Sequence, residues 1–275
     1  MTLSTIRNNP AKQKKVKTKK QKAIAATCAV AFWLLVWHVV SLCVGSELVL
    51  VSPVKVVQTL FTVIFDPDFL KTVWYSAARI LGGFFTALTL GTVLGWVASR
   101  FWVVETLLRP ITAVIKATPV ASFIILVLLW FSGKNLSVII SMLMVFPVIY
   151  MNVLEGIRSA DEKLLEMAQV FRLSVGKKLL YIYLPAVAPF FVSACSVSLG
   201  LCWKSGIAAE VIGTPDGSIG AVFYQAKIFL QTSELLAWTV VVVAVSVALE
   251  KLFMLLLGLV LKKLKMEDVL NGKRA

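Results

Sequence analysis

Six stretches of roughly twenty predominantly apolar residues constrain this chain more than any other feature: 23–44, 78–99, 110–132, 136–154, 186–207 and 235–261. A helix rising 1.5 Å per residue needs about 20 such residues to cross a hydrocarbon layer roughly 30 Å thick. Only helices satisfy their own backbone groups there without water or an edge to pair, so runs of this length predict spanning helices. Composition agrees. The hydrophobic share is 59%, the charged share 15% and the mean hydropathy +0.88, against about 45–50% and 25% for a soluble domain. A soluble fold must cover its core with polar groups, and this chain has too few. The expectation is an all-α integral membrane protein with six transmembrane helices.

The third stretch carries Lys116 near its start and Pro119 inside it. It is read as a kinked span whose lysine snorkels to the interface. The first stretch is longer than the roughly 7–15 residues of a secretory h-region and lacks an A-x-A-like site, so it is read as an anchor.

The 28 Lys and Arg outnumber the 14 Asp and Glu, for a net charge of +14. With six spans, eight basic residues precede the first span (Arg7, Lys12, Lys14, Lys15, Lys17, Lys19, Lys20, Lys22). Arg100 and Arg109 follow the second span. Arg158, Lys163, Arg172, Lys177 and Lys178 follow the fourth, and Lys262, Lys263, Lys265, Lys273 and Arg274 follow the sixth. The opposite side receives Lys55, Lys71, Lys134 and Lys227. By the positive-inside rule both termini are expected in the cytoplasm. The organisation is a basic tail at 1–22, a membrane domain at 23–265 and a second tail at 266–275. In so apolar a chain the basic excess points to anionic membrane lipids, and no nucleic-acid partner is expected.

Functional motifs are mostly absent. There is no phosphate loop, no HExxH, no GxSxG and no cluster of metal-ligating residues. Cys28, Cys43, Cys195, Cys202 and His38 all lie inside apolar runs, and no CxxC pair occurs. An enzyme is not expected, nor a metal or a cofactor bound by this chain.

The loop at about 155–185 is the longest on the basic side. Ser159 and Glu162 have the spacing of a capping box, and Leu164, Leu165, Ala168 and Phe171 then recur at helical intervals. A second short helix is expected near 175–183, stopping at Leu184-Pro185 because proline restricts the residue before it. Two readings stand: helices that lie in a partner's groove, or a connector packed on the bundle's own end.

Two spans carry patterned faces. In the second, Gly83, Ala87, Gly91, Gly95 and Ser99 recur every fourth residue, a pattern for close helix packing within the subunit or with a second copy. In the fifth, Ser193, Ser196, Gly200 and Lys204 share one face. They are candidates for a substrate path, with Glu210 beyond them. The alternative for Lys204 is snorkelling or a structural pair with Glu210. Glu250 and Lys251 receive no role.

Glu166-Met-Ala-Gln-Val-Phe-Arg172, nine residues, then Ile182-Tyr-Leu184-Pro185, resembles the EAA motif of binding-protein-dependent ABC importer permeases. That pattern reads E-A-A, three residues, G, nine residues, I, any residue, L-P. Pro53 after the first span, Arg79-Ile-Leu-Gly-Gly, Leu-Arg109-Pro, Lys116-Ala-Thr-Pro119, Phe-Pro147-Val-Ile-Tyr, Gly156-Ile-Arg158 and Ala209-Glu210 resemble the nitrate/sulfonate/taurine branch of these permeases. The resemblance covers roughly 48–262. Two positions depart from it. Met167 replaces an alanine, and Arg172 replaces the motif glycine, which implies either negative φ there or some strain; Gly176 could shift the break.

The resemblance implies a homodimer beneath which an ATPase dimer docks, with ATP and Mg held by that partner, and above which an extracytoplasmic solute-binding protein delivers a small anionic solute, nitrate-, sulfonate- or taurine-like, or a vitamin precursor. Leu165, Ala168 and Phe171 would enter a groove on the ATPase. Glu166 would pair with its wall, Arg172 would form the turn, and Leu184 and Pro185 would set the angle of re-entry. Alternating access would follow. The competing reading is an ion-coupled secondary transporter; against it, no inverted repeat and few mid-membrane charges are found.

Overall fold

The computed structural model describes residues 19–264. The basic tail before residue 19 and the carboxyl tail from 265 onward lie outside the described residues.

The chain divides into two compact units, 1–55 and 56–275. In the first, α1 (Lys19–Val44) is a long apolar helix. Its apolar residues surround the whole helix, as suits one whose solvent is lipid. It ends at Gly45, whose φ of +63° lies in the left-handed region, and the Ser41 hydroxyl donates to the Leu50 carbonyl at 3.1 Å.

The remaining helices are α2 (Pro53–Ile64), α3 (Phe69–Arg100), α4 (Trp102–Ala117), α5 (Val120–Trp130), α6 (Gly133–Arg158), α7 (Glu162–Val170), α8 (Val175–Lys178), α9 (Leu184–Gly213), α10 (Ile219–Ile228) and α11 (Thr232–Lys263). No strand occurs among the described residues. Five segments are long and apolar enough to cross a membrane: α1, α3, α6, residues 175–213 and α11.

The third predicted span breaks at Pro119, where the kink is expected, into two helices, α4 and α5, bent by 109° across Thr118–Pro119. Thr118 is extended (φ −83°, ψ 133°), as the residue before a proline tends to be. Eleven residues of α5 rise only about 16 Å, too short to cross alone. The sixth crossing exists only if the bent pair counts as one. Sequence reading also missed α2 and α10, which are too short to register as spans.

The core of the second unit is a sandwich of α3, α6 and α9. Ile80, Phe84, Val145, Ile149, Leu199 and Trp203 are buried in it, and Phe253 of α11 meets Phe84 edge to face at 5.3 Å between ring centres. Lipid tails are as apolar as these side chains, so water exclusion does not drive the contact; close packing does. Small residues permit it. Gly83, Ala87, Gly91 and Gly95 are all buried on α3. A Cβ on Gly83 would sit 2.4 Å from the Val138 carbonyl, and one on Gly91 would sit 3.0 Å from Ile149 Cβ. The stripe therefore lies against α6 of the same chain. On α9, Gly206 plays the same part against Ile80 and Ser141.

Candidate coupling element and translocation path

The loop after α6 forms a compact helical hairpin. Asp161 is the N-cap of α7, its carboxylate accepting the Lys163 amide at 2.9 Å. This corrects the capping box: Ser159 is still at the end of α6, and its hydroxyl donates to the Gly156 carbonyl at 2.8 Å. The asparate-led start places negative charge at the helix's positive end, where it is favoured.

The turn after α7 keeps the geometry that the motif glycine would have supplied. Arg172 has φ +49°. Its amide donates to Gln169 at 3.0 Å, and the Leu173 amide donates to Ala168 at 2.9 Å. These two bonds form a Schellman cap, and the Leu173 side chain packs beside Ala168 as that motif favours. A left-handed residue with a Cβ costs roughly 1–2 kcal/mol. The Arg172 charge at a helix C-terminus returns part of it. Gly176 sits inside α8 and does not move the break.

Ala168 faces inward. It is fully buried with Ala160 and Ile182, and Leu165 packs against the same cluster. The expectation that Leu165 and Ala168 enter a partner's groove is corrected: their small and medium side chains let α7 sit on the chain's own re-entering helix. Phe171 is 71% exposed, and with it Leu164, Met167, Val170 and Val175 make an exposed apolar tip. Glu166 and Arg172 are exposed beside it, while Leu184 and Pro185 are half-buried.

The second short helix does not stop at Leu184. Residues 179–183 form a π-helical turn, the Leu184 amide donates to the Leu179 carbonyl, and the chain stays helical into α9. Pro185 lacks an amide hydrogen and its ring needs room. The wider π turn supplies that room, so residues 175–213 run as one helical segment of 39 residues.

The four path residues of α9 fall on its accessible side. Ser193 and Lys204 are exposed, and Ser196 and Gly200 are half-buried. A Cβ at Gly200 would meet nothing within 4 Å. The Ser196 hydroxyl donates to Glu250 Oε1 at 2.9 Å, which gives that intramembrane carboxylate a partner on α9. Lys204 makes no ion pair among the described residues.

Glu210 does not join that face, and its expected alternative pairing with Lys204 does not form. Six residues turn a helix through about 240°, so the two side chains diverge. Glu210 is fully buried. The Ser76 hydroxyl of α3 donates to Glu210 Oε2 at 2.6 Å, and the Gly220 amide approaches the same oxygen at 3.4 Å. Ser76 Oγ in turn accepts the Ile219 amide at 2.9 Å. The free amides at the start of α10 are thus tied through one serine to one carboxylate. Gly220 is required there, because a Cβ would lie 2.3 Å from the Glu210 carbonyl carbon. Glu210 Oε1, the Ser137 hydroxyl and one Arg79 nitrogen are buried without a hydrogen-bond partner among the described residues. Sequence reading singled out neither Ser76 nor Gly220; the Ser218 N-cap, which accepts the Ala221 amide at 3.0 Å, was the local signal of α10.

At the other end of the bundle, Arg158 Nη2 meets Glu105 Oε2 at 2.5 Å, joining the end of α6 to the start of α4. No group of three metal-ligating side chains occurs among the described residues.

Residues 87–266 match the family described as the binding-protein-dependent transport system inner membrane component. The chain belongs to this family. It is 29% identical over 211 residues to a putative aliphatic sulfonates transport permease protein of Bacillus subtilis (strain 168), covering 76% of each chain. It is 27% identical over 220 residues to a taurine transport system permease protein of Escherichia coli (strain K12), covering 78% of this chain and 80% of the relative. It is 25% identical over 214 residues to a nitrate import permease protein of Synechocystis, covering 74% and 76%. The resemblance read from the EAA-like segment is therefore correct at the family level. Members are multi-pass membrane transport components and not enzymes, and the matched range takes in the α7–α8 hairpin and the whole of α9.

Proposed function

We propose that this permease imports a small anionic solute of the sulfonate, taurine or nitrate kind, driven by ATP hydrolysis on a separate subunit. Two copies would form the pathway, an ATPase dimer would bind the α7–α8 tip, and a solute-binding protein would present the solute from the opposite side. Both termini would lie in the cytoplasm with the basic loops. The family match disfavours the ion-coupled alternative.

One observation carries the coupling reading. The hairpin exposes Phe171, Val170, Met167, Leu164 and Val175 at the end of the bundle that holds Arg100 and Arg158. An apolar tip on a charged, water-facing end is costly unless a partner covers it. The hairpin's second helix, α8, is continuous with α9, so a displacement of the hairpin would be passed on toward the Ser193–Lys204 face. Partner closure would then rock the pathway between its two openings.

Phe171→Asp tests this. Phe171 is exposed, so the chain should fold normally, while co-purification of the ATPase falls at least about tenfold, the loss of one buried aromatic contact. A complex that keeps both its ATPase and full solute-stimulated hydrolysis would overturn the docking reading.

A further inference from the structure

We propose that a groove at the basic end of the bundle is a binding site for one anionic phospholipid. The groove has a volume of about 510 Å³ and is lined by Val93 and Trp96 of α3, Ile157 of α6, Leu179 and Tyr183 of the π turn, and Val187 of α9. Its wall presents apolar atoms only. A second hollow of about 390 Å³ adjoins it, sharing Trp96, Ile157, Leu179 and Tyr183 and adding Arg100 and Lys178. An apolar slot thus ends in a mouth bearing two cations.

Neither Arg100 nor Lys178 makes an ion pair among the described residues. Arg100 is the last residue of α3, and Arg158 closes α6 at the same end, so the mouth sits where a membrane meets water. Trp96, 53% exposed, stands at that depth, where indole rings favour the headgroup layer. The arrangement matches the two ends of a phospholipid: an acyl chain needs an apolar slot, and a phosphate needs basic side chains free to receive it. Basic pockets between spanning helices recruit anionic headgroups in this way. A zwitterionic lipid would fill the slot but gain little from the mouth. The π turn forms part of the wall, so the bound lipid would brace the junction between α8 and α9.

The proposal rests on membrane placement and not on the docking of an ATPase, so the two can fail separately. Native mass spectrometry of the detergent-purified full chain, with phosphatidylglycerol or phosphatidylcholine added at equal concentration, provides the test. Phosphatidylglycerol should be retained preferentially. The double variant Arg100→Gln, Lys178→Gln should weaken that retention roughly thirtyfold, the factor for two basic contacts of membrane-surface strength. Val93→Trp, which fills the slot and leaves both cations in place, should also abolish it. Equal retention of the two lipids, or an unchanged double variant, would overturn the proposal. So would displacement by free glycerol phosphate as readily as by lipid, or a change of oligomeric state in Val93→Trp, which would make a second copy the occupant.

Discussion

A carboxylate inside a helical bundle is tolerated when its surroundings replace water, and at Glu210 they do so at one oxygen, Oε2. Ser76 both donates to it and accepts from Ile219. Ser76→Ala would leave the buried Ile219 amide without a partner and Glu210 Oε2 with only the long Gly220 contact. The expected cost is about 1–3 kcal/mol, the penalty for an orphaned buried group. Thermal melting of the purified chain measures it, and a melt within a degree of the parent would show that the hydroxyl is dispensable. Lys204 is the opposite case, exposed and without an ion partner among the described residues. Lys204→Met should lower anion uptake several-fold while ATPase assembly and basal hydrolysis stay at parent levels, because the change removes charge from the open face and leaves the packed face untouched. Unchanged uptake would reduce Lys204 to a snorkelling side chain. The chemistry of each residue was legible from type and spacing; the partners were not, since Ser76 and Glu210 are 134 positions apart.

At the scale of elements, the long spans were readable because hydropathy and length decide them, and α3, α6, α9 and α11 each enclose a predicted stretch. Their ends were less so: α3 begins at Phe69, before the predicted start at 78, because amphipathic turns outside the lipid carry no hydropathy signal. The α4–α5 bend was half-visible. Pro119 announced a break, but a 109° angle depends on what the two halves pack against. Ala168 was misjudged for the same reason, since a small residue on an amphipathic helix fits its own bundle as well as a partner. The glycine stripe was the most legible packing element. Gly91→Leu should destabilise the chain by about 3 kcal/mol or more, because Ile149 and the Tyr150 backbone already stand 3.0–3.1 Å from where a Cβ would go. Lost assembly in detergent is the expected readout. A normally assembling variant with altered transport would mean the stripe lines the pathway instead.

On the scale of the molecule, α3, α6 and α9 are held together at backbone-close crossings, with Gly83 and Gly91 on one side of α6 and Gly156 and Gly206 at the α9 contacts. Well-packed interiors compress little and pass strain on. Spin labels on α3 and α6 of one chain should therefore keep the same separation in nucleotide-free and nucleotide-bound complexes, while labels on equivalent positions of the two copies in the proposed dimer would move apart or together. A change within the chain comparable to that between chains would show that the three-helix sandwich flexes. The unbroken helical run from 175 to 213, about 58 Å long, gives this stiffness a mechanical meaning. A push applied to α8 would travel along this run past the π turn at 179–183 and past Pro189 inside α9, the two places where such a helix bends most readily. The stroke that the proposed coupling would bring to Lys204 is then set by leverage, by how far each point lies from the pivot and from those two bends.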